Sequence, residues 1–382
     1  MKIGIVTFWD TKDNYGQVLQ GFALQQFLKK SGHEPFIIRY RYNGNRHYKT
    51  PLWKLIVKFL LVFPILKTKE KSKRRKFIEN KCIKRNFDLF RTRYITFSSE
   101  EYNSIKELRA NPPKSDCYIV GSDQVWGPLL DNEDSKAFFL DFGDENILRI
   151  SYAASFGRKE YPNEYIDILK KYLLKLDNVS VREHDGVNIC GKLGVNATHV
   201  LDPTFLLSES DYQKMITPVE YENYAYLYIL NITDPNEIRW NEIKEYLEKN
   251  KLTSVITPSS GYVIGDEIFG DEVYDYATIE RWLSNIYHSK FVVTTSFHGI
   301  VFSIILKKNF IYVPLKGKFE KGNNRALELL KNLGLENRVL TSDMSISSSL
   351  DRHTDWHIVD QKLQLLRKSS ISFLENSILR LC

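Results

Sequence analysis

The chain has 382 residues, 43% of them apolar and 26% charged, and a formal charge of +7. That length is too great for one ordinary core and suits two domains of similar size, and the composition is that of a soluble globular protein. Much of the basic excess is confined to one stretch, Lys67 to Lys76, rather than spread along a face with interleaved aromatics, which argues against nucleic acid as a partner.

Residues 2–8 read as an opening strand without the basic, apolar and small-residue series of a secretory leader, so a cytoplasmic protein is expected. A polar loop, 10–16, leads into a helix with Val18, Leu19, Phe22, Ala23, Leu24, Phe27 and Leu28 at helical spacing, closed by Gly32. A strand at 35–40 follows. Residues 50–95 read as an insertion. Its apolar run from Trp53 to Leu66 is interrupted by Lys54, Lys58 and Pro64 and is too short to span a bilayer, and the basic run to Lys76 comes next. Further strands are expected at 117–120, 149–154, 179–181 and 199–201, each ending in a loop rich in Gly, Ser or Asp.

After Asp202-Pro203 the pattern restarts, with strands at 224–230, 253–257, 291–295 and 310–313 and helices at about 235–249 and 279–287. Strands alternating with amphipathic helices signify an α/β fold with parallel sheets. The expected division is a first domain over 1–210 and a second over 211–382, with a soft boundary between Pro203 and Tyr224. A last helix, 355–379, is expected to cross back onto the first domain. The four cysteines, Cys82, Cys117, Cys190 and Cys382, are scattered, so neither a disulfide nor a structural zinc is expected. His33, His199 and His288 lack a partner pattern, and no spacing suggests a metal site.

The segment from Phe291 to Ile300 gives a strand, a sharp loop containing His298 and Gly299, and an apolar helix. Free N–H groups at such a helix start favour phosphate or carboxylate. Taken with Asn14-Tyr15-Gly16-Gln17-Val18-Leu19-Gln20, Gly121-Ser122-Asp123-Gln124-Val125-Trp126, Val181-Arg182-Glu183 and Leu201-Asp202-Pro203-Thr204, it resembles the polysaccharide pyruvyl transferase family over most of the chain. Each motif is weak alone; five in order are specific.

The resemblance implies two Rossmann-like domains facing a cleft (GT-B-like). It also implies transfer of the enolpyruvyl group of phosphoenolpyruvate to a sugar, usually as a ketal, with no further cofactor. The second domain is expected on the donor side and the first on the acceptor side. The family's donor-binding arginine and catalytic histidine fall on Arg182 and His298. Many members carry an arginine two residues before the histidine, where this chain has Ser296. Ser296 and Gly299 are then expected beside the donor, with Arg325, which follows Gly322-Asn323-Asn324 at a helix start, as the replacing cation.

In this chemistry His298 would protonate the methylene of the donor, and Asp123 would take the proton of an acceptor hydroxyl. Asn14, Tyr15 and Gln17 would contact the acceptor, a galactose-type sugar at its 4- and 6-hydroxyls on a lipid-linked or cell-surface precursor. Each position also has a structural reading: His298 bonding its own loop, Arg182 as a surface charge, Asp123 as a loop cap, and residues 14–17 as loop chemistry with Gly16 allowing the turn. Asp202 before Pro203 reads as structural. Trp53 to Lys76 reads either as an apolar wedge and basic stretch for an anionic membrane surface, making the protein peripheral at the inner face of the plasma membrane, or as a packed helix with a solvated charged turn. The rival functions are a GT-B glycosyltransferase using a nucleotide sugar and a non-catalytic membrane-surface scaffold of polysaccharide assembly, with nucleic-acid binding a distant third.

Overall fold

The computed structural model describes residues 1–42, 85–127, 130–258 and 268–379. The apolar and basic run from Trp53 to Lys76, together with Cys82 and Cys382, lies outside the described residues. No helix among the described residues is long and apolar enough to cross a membrane.

Two parallel sheets organise the molecule. The first is built from β1 (Lys2–Val6), β2 (Glu34–Tyr40), β3 (Phe97–Tyr102), β4 (Cys117–Val120) and β5 (Leu148–Ser151), in the order β3-β2-β1-β4-β5. A short pair, β6 (Val179–Val181) and β7 (Ala197–His199), extends it through bridges at Ile150–Asn178 and Ala154–Val181. The second contains β8 (Tyr224–Ile229), β9 (Thr253–Pro258), β10 (Val273–Tyr274), β11 (Phe291–Thr294) and β12 (Phe310–Tyr312), in the order β10-β9-β8-β11-β12. Both orders run 3-2-1-4-5 within their own sheet, the doubly wound arrangement.

The central strands β1, β4, β8 and β11 are short apolar runs buried along nearly their whole length, because helices cover both faces and leave no solvent side for a polar alternation. Two strands escaped the sequence pattern. β3 reads Phe-Ser-Ser-Glu-Glu-Tyr, an edge strand with a mostly polar exposed stretch, and β10 has only two residues.

One apolar cluster joins the two halves. It contains Ile5, Leu19 and Tyr15 from the first and Tyr228, Trp282 and Phe302 from the second, while separate clusters fill the outer faces of each sheet. The long helix Trp356–Leu379 adds a second tie: Ser370 Oγ accepts from Leu201 N at 2.9 Å, and Arg367 donates to the Leu206 carbonyl at 2.8 Å. It therefore crosses back to the chain that leaves the first sheet.

In each sheet the strand order reverses between the first strand and its fourth. Helices leave opposite faces there and open a crevice at the carboxyl ends. The crevice at β1 and β4 faces the one at β8 and β11, and the residues gathered between them are those of the sequence motifs.

Candidate active site

The His298 loop is fixed from beneath. Thr294 Oγ1 donates to the Tyr228 carbonyl at 2.7 Å and accepts from Ser296 N, and Thr295 Oγ1 bonds both the N–H and the carbonyl of Leu230. Two β-hydroxyls thus stitch the ends of β8 and β11 together. Ser296 caps the helix Phe297–Ile305, its Oγ accepting from Gly299 N at 3.4 Å. A β-carbon on Gly299 would stand 2.2 Å from Thr294 Oγ1, so this glycine lets the helix start seat against the strand end. Ser296 and Gly299, both expected beside the donor, are thus occupied with building the loop.

His298 is buried, with its Nε2 3.7 Å from Asp202 Oδ2: an ion-pair distance beyond hydrogen-bond reach. Its ring lies over the first turn of the helix Tyr15–Lys30, where a β-carbon on Gly16 would fall 2.0 Å from Nδ1. Gly16 was expected to serve a turn; what it provides is room for the histidine.

Asp202 is the residue that sequence reasoning undervalued. Asp-Pro reads as a bend, and Asp202 does bond the local Thr204 N and Oγ1 through Oδ1. Its other oxygen, however, accepts from Arg182 Nη1 at 3.0 Å and Ser122 Oγ at 3.2 Å while facing His298, and the side chain is fully buried. Burial alone would raise its pKa; His298, Arg182 and Thr204 outweigh that and hold the carboxyl well below its ordinary range. Asp202 therefore joins the expected donor-binding Arg182 to the expected catalytic His298, beyond the bend that its place before Pro203 suggests.

Arg182 is equally buried. Burial opposes its charge, but Glu183, Asp202 and Asp123 raise its pKa above the ordinary value. Glu183 accepts from Nε at 2.9 Å. Nη2 is buried with no hydrogen-bond partner among the described residues, and the same holds for Arg325 Nε and His298 Nε2. The surface-charge reading of Arg182 fails on this burial.

Arg325 borders the same cleft. Asn323, buried, accepts from Tyr312 Oη and Leu315 N and donates to the Leu315 carbonyl, fixing the loop that delivers Arg325 to the start of the helix Asn324–Leu333. The guanidinium carbons of Arg182 and Arg325 lie 5.0 and 5.3 Å from the ring centre of Phe297, so one aromatic ring holds two like charges. Burial and then the nearby Arg182 lower the pKa of Arg325. An anion at this point would relieve both.

On the other wall, Gln17 donates to Asp123 Oδ2 at 2.9 Å, uniting two expected acceptor-side residues. Asp123 has φ 78°, a left-handed conformation that costs a side-chain-bearing residue about 1–2 kcal/mol. Asn14 caps its helix through Gln17 N and is exposed.

Tyr15 departs from expectation. It is fully buried, stacks on Trp282 with centroids 5.1 Å apart and donates to the Ala277 carbonyl at 2.7 Å. It bolts the two halves together, with its ring and its hydroxyl both engaged inside the protein. His199, expected to lack partners, contacts the Arg182 carbonyl, Glu328 and the ring of His184.

A void of about 20 Å³ lies among Arg182, Asp202, Phe297 and Arg325, room for a single water. Just outside it, Gln124, Glu183, Arg325 and Lys321 line a cleft of about 430 Å³. A larger cavity, about 700 Å³, opens beside Lys2, Glu34 and Phe97 at the amino ends of the first sheet's strands. Ligands of such sheets bind at the carboxyl ends, so size does not locate this chemistry.

The sequence profile of a family described as polysaccharide pyruvyl transferase matches residues 14–316. No curated protein matches the chain. Among solved structures the chain is similar to a putative UDP-N-acetylglucosamine 2-epimerase from Listeria monocytogenes, at 10% identity and a TM-score of 0.53, covering 96% of this chain and 90% of that one. It is also similar to the UDP-GlcNAc 2-epimerase of Methanocaldococcus jannaschii in complex with UDP-GlcNAc and UDP, at 12% identity and a TM-score of 0.51, over 96% and 99% of the two chains. UDP-N-acetylglucosamine 2-epimerase from Rickettsia bellii has 9% identity and a TM-score of 0.50, over 98% and 96%. At such identities the likeness is one of fold: two Rossmann-type domains facing a cleft, in the GT-B manner.

Proposed function

The chain belongs to the polysaccharide pyruvyl transferase family, and from that premise we propose that it transfers the enolpyruvyl group of phosphoenolpyruvate to two hydroxyls of a sugar. The observation that supports this reading is a set of buried nitrogens without a hydrogen-bond partner among the described residues, Arg182 Nη2 from the first half and Arg325 Nε and His298 Nε2 from the second. Buried donors in native proteins have acceptors almost without exception, and a small ligand with a carboxylate and a phosphate supplies several.

In the proposed reaction His298 gives its proton to the methylene carbon, which becomes a methyl group as the central carbon turns electrophilic. Asp202 holds the imidazolium needed for this step. A first sugar hydroxyl attacks the central carbon while Asp123 accepts its proton. A second hydroxyl then displaces the phosphate, which leaves with the remaining proton, and a ketal is formed. Arg182 and Arg325 hold the departing phosphate and the carboxylate. The donor thus draws on both halves rather than the second domain alone, and Gln17 and Asp123 make the acceptor wall.

The acceptor we propose is a galactose-type sugar of a lipid-linked or cell-surface precursor, ketalised at its 4- and 6-hydroxyls. Trp53 to Lys76 supports this reading, since an apolar run beside a basic one suits an anionic membrane surface where such acceptors reside.

Calorimetric titration with phosphoenolpyruvate tests the donor, with UDP-sugars as controls and Arg182→Ala and Arg325→Ala as variants. Saturable binding weakened in both variants is expected. A clear UDP-sugar signal with none from phosphoenolpyruvate would replace this reading with a glycosyltransferase.

A further inference from the structure

Beside the cleft, three side chains that no motif connects meet across the two halves. His184 opens the helix His184–Lys192, His199 ends β7, and Glu328 lies one turn after Arg325 on the helix Asn324–Leu333. The two imidazole rings stack with centroids 4.1 Å apart and 29° between planes. Both direct a ring nitrogen to the same carboxylate oxygen: His199 Nε2 lies 3.4 Å from Glu328 Oε1, and His184 Nδ1 is in hydrogen-bond contact with it. The His184 N–H also donates to both carboxylate oxygens, at 3.2 and 3.3 Å.

We propose that His184, His199 and Glu328 form a binding site for a divalent transition-metal cation of the zinc class, bridging the two halves of the molecule. The three ligand atoms all lie within 4.8 Å of one another. Ligand atoms held at about 2.1 Å from a tetrahedral zinc stand about 3.4 Å apart, so only a small adjustment admits the ion. Two imidazoles and one carboxylate are a borderline donor set that suits zinc and its neighbours and disfavours calcium or magnesium. Three protein ligands leave a coordination position for water. The site is reachable from solvent, since the side chain of His184 is 60% exposed.

The same nitrogen of His199 also lies 3.1 Å from the Arg182 carbonyl. A cation at Nε2 takes the neutral ring with its proton on Nδ1, so on binding the contact with the Arg182 carbonyl is given up and the Nε2 lone pair turns to the cation. The ion would thereby tie the chain carrying Arg182 to the helix carrying Arg325 and fix the spacing of the two guanidinium groups. The inference does not depend on the identity of the donor substrate.

The test uses full-length, tag-free protein stripped with EDTA and titrated with zinc chloride, followed by cobalt substitution and visible spectroscopy. One equivalent of zinc is expected to bind, raising the melting temperature because only the folded state assembles the ligands. Cobalt is expected to give intense d–d bands. His184→Ala and Glu328→Gln, with folding checked by circular dichroism, are each expected to weaken binding at least tenfold and abolish the cobalt bands. Absence of saturable zinc binding in the unaltered protein, or unchanged binding in both variants, would overturn the proposal and leave the three residues as a hydrogen-bonded latch.

Discussion

A β-carbon at residue 16 would stand 2.0 Å from Nδ1 of His298, so the first turn of the opening helix and the His298 turn of the second half are fitted to each other at one missing side chain. Gly16→Ala is therefore expected to displace His298 or part the two halves. It should cost about 1–3 kcal/mol of stability, as overpacking does, with a far greater proportional loss of pyruvyl transfer. Equal stability and activity in the two proteins, by thermal unfolding and phosphate release, would show that the ring and helix move apart freely.

His298 carries the proposed proton transfer. His298→Gln retains a polar side chain but no titratable proton, and turnover is expected to fall by about 10²–10⁴-fold, with phosphoenolpyruvate affinity changed far less. Calorimetry beside a phosphate-release assay separates the two. Loss of binding in step with turnover would make His298 a donor-binding residue instead.

Asp202 gives a pH dependence whose sign follows from its lowered pKa. A carboxylate depressed in the folded state stabilises it fully above the unfolded value, about 3.9, and loses that contribution as pH falls toward the folded value. Asp202→Asn leaves Arg182 without its buried partner and is expected to cost about 3–5 kcal/mol at neutral pH. The deficit should shrink progressively below about pH 4. A deficit constant from pH 7 to pH 2 in urea unfolding would contradict an ionised Asp202.

Asp123 combines strain with proposed function. Asp123→Gly and Asp123→Ala both remove the carboxylate, but only glycine accepts φ 78° without penalty. The glycine variant is expected to be the more stable of the two by about 1 kcal/mol, while both lose sugar-dependent phosphate release. If alanine were equally stable, the backbone there would be relaxed.

The fold was legible because its signals are local. Strands such as β8 and β11 are short buried runs, and the helix that carries His298 in its first turn begins where a capping serine follows a strand. The motif residues Arg182 and His298 could be named because the motifs that contain them match the family's, and Asp123 with them because each follows a strand end, where such sheets bind ligands. What could not be read depends on pairs distant in sequence. The sequence gives no means to see that Gly16 makes room for His298, that Tyr15 stacks on Trp282, or that Asp202 turns one oxygen to its own loop and the other to Arg182. An edge strand such as β3, half-wet and rich in Ser and Glu, looks like a loop until its neighbour is known.

The division of charges between the halves has a consequence for turnover. Asp123, Glu183 and Asp202 belong to the first half, around Arg182; His298 and Arg325 belong to the second. The void among Arg182, Asp202, Phe297 and Arg325 is only about 20 Å³, while the cleft of about 430 Å³ beside it reaches Glu183 and Arg325 from outside. If the donor seats in that void, as proposed, Arg182 and Arg325 have to part to admit it and close again around it. Parting of the halves, rather than bond-making, would then set the pace of the proposed transfer, and because Arg182, Glu183, Asp202 and His298 are buried, added salt would change that pace little.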